Sequence, residues 1–346
     1  MPPVVVNIDS LTRAAVEYDN VLRTLPYITL EEVVSTFKFN MKEIANKHIL
    51  TSFERKGGIM KPYGATVTED EEEEIGKLKE SELELKTAYC NLFDKITNYK
   101  AVKVLSNAGE KVNNKTKEHP LNQQILETVV RTWSEDVVDA IFPGERDEEN
   151  KSPLGAFDGF DTKLAALVSD GEVSVAKGNL IESGAITEPV DGDDTDALDA
   201  IVAWFRQLDP KLRNVPKLWY VPDAVLLPVL MALENKFSNR KEVNLQVLLD
   251  YLTTHALVRN LTVVNHVCMG TGQKFYVTIP GNFDIGVNTQ SDAQFVQVRN
   301  IKTDPNIVQY WIQAEYGTRI NLWNKKVLAV NELAAVGNQL SGDYLS

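Results

Sequence analysis

Residues 306–330, NIVQYWIQAEYGTRINLWNKKVLAV, are rich in aromatic and β-branched side chains and lie close to the end of an acidic chain. From Val308 the side chains alternate. Val308, Tyr310, Ile312, Ala314 and Tyr316 fall on one face and Gln309, Trp311, Gln313 and Glu315 on the other, which predicts one long, half-buried strand. Gly317 and Thr318 are expected to break it, with Ile320 and Leu322 resuming the period and leading into Val327, Leu328, Ala329 and Val330. A strand so late in a chain closes a sheet begun much earlier, so its partners must lie far upstream.

Residues 1–50 read as an extended start followed by helix, with Leu30, Val33, Val34 and Phe37 at helical spacing. From Ser52 to about Lys86 apolar residues thin out, Gly57, Gly58 and Gly64 enter, and an acidic run stands at Glu69, Asp70, Glu71, Glu72, Glu73 and Glu74. Such a stretch buries too little apolar surface to pack as a core element and should protrude. Leu83, Leu85, Thr87 and Tyr89 alternate with polar neighbours as in a returning strand, so a long hairpin-like arm is one reading. A surface loop with a solvated acidic run would have the same composition.

At Pro120 a helix is expected. Leu121, Ile125, Leu126, Val129, Val130, Trp133, Val137, Val138 and Ile141 share one face, Pro120 suits the first helical position, and Phe142-Pro143-Gly144 ends the run. At about 22 residues it would be roughly 33 Å long, enough to serve as the spine of a flat domain. A charged loop at 145–150 and a short helix over Thr162–Val168 follow. A linker at 188–194, with Pro189, Gly192 and three aspartates, precedes a helix from about Thr195 that carries Leu198, Ile201, Val202, Phe205 and Leu208 on one side. Leu218-Trp219-Tyr220-Val221 reads as a buried strand and Asp223–Lys236 as a helix that must hold Pro228 in its first turns or kink there. Strands are expected at 261–266 and 275–279. There is no internal repeat at a fixed period.

The chain has 346 residues, 43% hydrophobic and 25% charged, the composition of a globular protein with room for two or three domains. Its formal net charge of -13 opposes close contact with phosphate backbones and argues against nucleic-acid binding as the main task. Cys90 and Cys268 are too few for a disulfide framework or a zinc site and read as reduced thiols. No secretion signal opens the sequence, and nowhere do 18 apolar residues run together, so no membrane span is expected.

Signals for chemistry are sparse. His48, His119, His255 and His266 share no metal-ligand spacing and none adjoins a cysteine, so structural roles are expected for all four. MGTGQKF at 269–275 lacks the spacing of a phosphate loop and reads as a turn between strands. Asp191, Asp193, Asp194 and Asp196 lack the glycine and distal glutamate of a calcium loop and read as a linker that caps the next helix. The NLT at Asn260 would accept a glycan only in a secreted protein. No nucleophile elbow, dinucleotide fingerprint or kinase motif occurs, so no catalytic residue, cofactor or metal is expected.

The order of these elements, with the local patterns PLNQQILETVVRTWSEDVVDAIF (120–142), SPLGAFDGF (152–160), LWYVPDAVLLPVLMAL (218–233) and the closing FDIGVNTQ (283–290) and YGTRINLWNKKVLAV (316–330), resembles the major capsid proteins of tailed bacteriophages with the HK97 fold. The resemblance covers nearly the whole chain and rests on layout more than on a sharp motif. It implies an α+β fold with an N-terminal arm at 1–51, an extended E-loop at 52–95, a P-domain at 96–190 built on a spine helix at 120–141, a mixed α/β A-domain at 191–284, and C-terminal P-domain strands and tail at 285–346. The late strand would complete the P-domain sheet beside the spine.

The resemblance further implies a structural protein and not an enzyme. Copies would assemble through pentamers and hexamers into an icosahedral shell around double-stranded DNA, each E-loop lying across a neighbour's P-domain with Glu69, Asp70, Glu71, Glu72, Glu73 and Glu74 at the contact. Scaffold, portal and decoration proteins are the implied partners, DNA is enclosed without sequence-specific binding, and the implied place is the virion, after assembly in the bacterial cytoplasm. Few residues precede the E-loop, so a scaffold would be separate, already removed or unnecessary. Lys56 and Lys61 with Asn321 and Asn324 are the candidates for the Lys–Asn cross-link that some members form. An encapsulin-type nanocompartment shares the implied fold. An acidic cytosolic α/β enzyme with a dispersed site, or a phage tail or surface protein, are the readings from other classes.

Overall fold

The computed structural model describes residues 8–55, 76–95, 120–184, 186–192, 194–237, 243–270, 272–288, 296–301 and 304–332. The fold is α+β. Its elements run α1 (Ile8–Glu17), α2 (Asp19–Phe37), β1 (Asn40–Glu43), β2 (Lys47–Arg55), β3 (Gly76–Glu84), β4 (Lys86–Lys95), α3 (Pro120–Ala140), α4 (Phe160–Ser169) and β5 (Leu180–Glu182). The remainder are α5 (Asp196–Arg206), α6 (Pro210–Asn214), β6 (Lys217–Tyr220), α7 (Asp223–Lys236), α8 (Leu245–Ala256), β7 (Leu261–Val264), β8 (Tyr276–Thr278), β9 (Phe283–Asn288), β10 (Val296–Ile301), β11 (Asp304–Ile320) and β12 (Leu328–Glu332).

β11 is the late strand, and it organises the first of two five-stranded sheets, with order β1-β9-β11-β10 and β4 also on β11. Ile312 pairs with both Val296 and Cys90, and Glu315 with both Asn288 and Thr87, so β9 and β10 lie in tandem along one side of β11 and β4 along the other. Val308, Tyr310, Ile312, Ala314 and Tyr316 are buried, as the alternation requires, in one core with apolar residues of α1, α2 and α3. The 21-residue α3 spans about 31 Å. It buries Leu126, Val130, Trp133, Val137 and Val138, and the Trp133 indole donates to the Tyr316 hydroxyl at 3.1 Å.

The expected break at Gly317 does not occur, because β11 continues through it to Ile320. The glycine serves a close approach instead. A Cβ at Gly317 would stand 2.3 Å from the Glu84 carbonyl oxygen, and one at its partner Gly286 would stand 2.7 Å from the Leu85 side chain. The paired glycines thus form the groove over which the chain passes from β3 to β4, with Leu83 and Leu85 filling it.

The second sheet has order β5-β12-β8-β6-β7 and is buried on both faces. Leu218, Tyr220, Tyr276, Leu328 and Val330 point into the core shared with the first sheet, while Trp219, Val221, Val277 and Ala329 point into a second core with α5, α7 and α8. Two-sided burial is why Leu218 to Val221 is an unbroken apolar run. In α7, Pro228 is the sixth residue, so the first turn forms before the missing N–H is felt. Where the two sheets meet, Phe37, Phe39, Phe142, Phe160, Tyr220, Tyr276 and Phe283 form one aromatic cluster, with Phe160 and Phe283 4.6 Å and Phe37 and Phe39 5.0 Å apart. Asp161 is buried beside it and accepts from the Tyr276 hydroxyl.

Candidate assembly interface

β2 and β3 belong to neither sheet. Among the described residues they pair only with each other, antiparallel, from Lys47 opposite Glu84 to Arg55 opposite Gly76. Alternation divides this ribbon into two faces. His48, Leu50 and Ser52 with Lys79, Ser81 and Leu83 face the body, and Ile49, Thr51 and Phe53 with Leu78, Glu80 and Glu82 face away.

The inner face is fastened at three points. The Ser81 hydroxyl donates to the Ile320 carbonyl at 2.6 Å. Lys79 donates to Glu172 Oε2 at 2.5 Å and stands 5.5 Å from the centre of the Trp323 ring, while Lys177 and the Trp323 indole donate to the same oxygen at 3.0 and 3.1 Å. Above all the hydrogen bond from Lys79, then those from Lys177 and Trp323, hold the Glu172 carboxyl down at about 2 against a smaller upward push from burial. At the ribbon's root Arg319, 1% exposed, donates through Nη1 to the His48 carbonyl at 3.1 Å and lies 2.9 Å from His48 Nδ1.

Arg319 is itself held by Asp284, to which its Nη2 donates. Asp284 also takes Lys42 at 2.9 Å, the Asn321 amide at 2.8 Å and the Asn40 amide at 3.1 Å. Burial raises the Asp284 carboxyl, but these four donors outweigh it and leave it below the ordinary carboxylate range. A buried charge pair so fully partnered fixes geometry more than it adds stability.

The outer face carries exposed apolar groups, Ile49 at 51%, Phe53 at 56% and Leu78 at 71%, with an ion pair between Lys47 and Glu82 beside them. A second apolar surface lies on the side of the first sheet away from the helices. There Tyr89 and Phe93 are exposed, Tyr89 stacks on Trp311 at 5.5 Å, Arg299 sits 5.6 Å above the same indole, and the Gln309 amide donates to Asn91 at 2.8 Å. Among the described residues the chain thus has one projecting and one flat apolar surface.

Glu69, Asp70, Glu71, Glu72, Glu73 and Glu74 lie outside the described residues, as do Lys56, Lys61 and His119. Asn321 is buried with its amide nitrogen given to Asp284, and the Asn324 side chain accepts from the Lys326 N–H at 3.0 Å. His48 meets Arg319, His255 lies 4.1 Å from the Tyr251 ring, and His266 accepts the Cys268 N–H at 3.2 Å beside the Phe37 ring. Asp194 accepts from the N–H groups of Val190 and Asp196, which lower its carboxyl and tie the linker to the start of α5. Both described cysteines are free, and burial pushes the Cys90 thiol up to about 11. Among the described residues no group of three or more His, Cys, Asp or Glu is placed to hold a metal ion, and no helix is long and apolar enough to cross a membrane.

Sequence reasoning missed Lys79, Glu172, Asp284 and Arg319. The alternation of Lys79, Ser81 and Leu83 was available as a signal for one strand face, but Glu172 stands in a turn, 93 residues from its partner Lys79, where no period applies.

No family model matches the sequence, and no curated protein matches it. Solved structures do resemble the fold. The satellite phage P4 procapsid, solved with its size determination protein, is 14% identical at a TM-score of 0.48 over 88% of this chain and 97% of that one. The capsid of an empty GTA particle is 11% identical at 0.47, over 87% and 89%. A virus-like particle from Pyrococcus furiosus is 10% identical at 0.40, over 94% and 98%. At these values the likeness is one of layout and assigns no role to any residue.

Proposed function

We propose that the chain is the repeating subunit of a closed icosahedral shell, the major capsid protein of a tailed bacteriophage, enclosing double-stranded DNA. The observation that carries this reading is the β2–β3 ribbon, bolted to the body along one face while Ile49, Phe53 and Leu78 stand exposed on the other. A monomer gains nothing from such a surface. A subunit whose ribbon crosses the next copy buries it, and the flat face of Tyr89, Phe93 and Trp311 is a chemically fitting receiver. A contact between two different surfaces of one chain is heterologous, and repeated around an axis it gives closed rings.

On this reading residues 1–51 are the N-terminal arm, 52–95 the E-loop, 96–190 and 285–346 the P-domain, and 191–284 the A-domain that gathers copies into pentamers and hexamers. The run Glu69–Glu74 reaches the neighbouring subunit, where basic and backbone groups complete its solvation. Scaffold, portal and decoration proteins, and assembly in the bacterial cytoplasm before residence in the virion, belong to the same proposal.

The test is assembly of the double variant Phe53→Ser/Leu78→Ser. Both side chains are exposed, so melting should change little, within about 0.5 kcal/mol, while closed particles are lost. Particles of normal yield and size from this variant, or from a deletion of Glu69–Glu74, would remove the ribbon from the mechanism. The contents of wild-type particles, nucleic acid or a protein cargo, separate a phage head from a nanocompartment.

A further inference from the structure

We propose that Glu80 of one copy pairs with Arg299 of the next, and that this contact sets the direction in which the ribbon lies across the neighbouring sheet. The inference rests on the shell reading above and gives each of two charges a partner. Glu80 is exposed on the outer face of β3, opposite Thr51, between the pair Phe53–Leu78 and the pair Ile49–Glu82. The carboxylates that follow it on that face are engaged, Glu82 by Lys47 and Glu84 by Lys86. Among the described residues no ion pair or hydrogen bond engages Glu80.

Arg299 is the counterpart on the flat face. It is exposed, lies 5.6 Å from the centre of the Trp311 ring, and donates to the Gln297 amide oxygen at 2.5 Å. Among the described residues no carboxylate takes it. A guanidinium carries five N–H donors, and one amide oxygen leaves most of them open to a planar acceptor such as a carboxylate.

The spacings agree. Along β3, Glu80 is two residues from Leu78, about 7 Å. On the receiving sheet Trp311 stands opposite Gln297 and Gln309 opposite Arg299, which makes Arg299 the diagonal neighbour of Trp311, at about 7–8 Å. With Phe53 and Leu78 seated on the Tyr89–Trp311 stack, Glu80 comes over the guanidinium when the root of the ribbon points toward Ile307. Laid the other way, Glu80 and Glu82 run toward Gln313 and Glu315, and Glu315 is itself a carboxylate, held by the Asn288 amide at 2.8 Å. Apolar contact alone accepts either direction, whereas charge permits one. The apolar groups around the pair exclude water from it, so it counts for more than an ion pair on an open surface.

Charge reversal in the full-length protein tests the pair. Glu80→Arg and Arg299→Glu each bring like charges together, and each should raise the concentration needed for closed particles by at least about ten-fold, read by light scattering and negative-stain electron microscopy. The double variant Glu80→Arg/Arg299→Glu should restore particles. Both positions are exposed, so unchanged melting of the singles separates lost assembly from lost folding. An equal mixture of the two singles shows where the pair lies. Alternating copies match every contact, which a ring of six allows and a ring of five does not, so the mixture should give six-fold rings without closed shells. Rescue in the double without rescue in the mixture means a contact within one chain and overturns the proposal. Singles that assemble like the wild type, or a double no better than the singles, overturn it too, while the shell reading stands. If a reversal unfolds the chain, Glu80→Gln and Arg299→Gln replace it, and losses that add in the double, where a shared contact would be lost only once, overturn the pair. A wild type that forms no particles fails the shell reading, and sedimentation at higher concentration then judges the pair. Mixed singles should associate about ten-fold more tightly than either alone, and equal association overturns the proposal.

Discussion

Asp161 shows how one buried carboxylate weighs on the fold. It lies beside the aromatic cluster with the Tyr276 hydroxyl as donor, and burial pushes its carboxyl up to about 6, eased only slightly by Lys274. The raised value means that the folded protein keeps a proton the unfolded chain releases from about pH 4 upward. Stability therefore falls as pH rises from about 4 to about 6 and stays reduced above. Asp161→Asn keeps an acceptor for Tyr276 and removes the charge. It should stabilise the protein at pH 7 by up to about 3 kcal/mol and give no gain near pH 3, as read from denaturant unfolding at both values. Glu172 runs the other way. Its depressed carboxyl contributes stability that is complete above the unfolded value near 4.3 and is lost as pH falls through about 2. Glu172→Gln should cost under about 1 kcal/mol at pH 7, since the pair is partly exposed, and its melting should converge with wild type toward pH 2. Neither residue was legible as special in the sequence. Only their distant partners, Tyr276 for Asp161 and Lys79 for Glu172, distinguish them.

At the scale of elements the sequence was most legible where one face is buried. β11, α3 and α5 follow from alternation or helical spacing, since a single apolar face imposes a period. α8 is absent from the sequence reading although Asn244 caps it, its side chain accepting the Val247 N–H at 3.1 Å, because the near-continuous apolar run at its start hides the period. Gly317 misled for a different reason. Glycine marks breaks and close approaches alike, and only the crossing of the chain at Glu84 decides between them. Gly317→Ala should therefore destabilise by about 1–3 kcal/mol, because the new Cβ meets a backbone carbonyl that cannot step aside, and thermal melting checks it. A neutral Gly317→Ala would mean that the crossing is looser than described. The sequence left 52–86 open between a hairpin-like arm and a solvated loop. The structure pairs β2 with β3 and parts Leu83 from Thr87 and Tyr89 at the crossing into β4, and the anchors of the fastened face, Ile320, Trp323 and Glu172, come from other parts of the chain.

The whole molecule joins two cores through one sheet buried on both sides, and carries on that frame a ribbon that belongs to neither five-stranded sheet. Phe160→Ala, at the aromatic junction, should cost about 3–5 kcal/mol and weaken both halves together, giving one cooperative transition at lower temperature. The ribbon's outer face belongs to a larger scale than the single chain. The most direct test is light scattering with negative-stain electron microscopy of the wild type beside Phe53→Ser/Leu78→Ser, each alone and with a candidate scaffold. The account predicts closed shells or rings of five and six from the wild type and only folded small species from the variant. A wild type that stays a compact monomer or dimer in every condition, or a variant that closes shells as well as its parent, would contradict it.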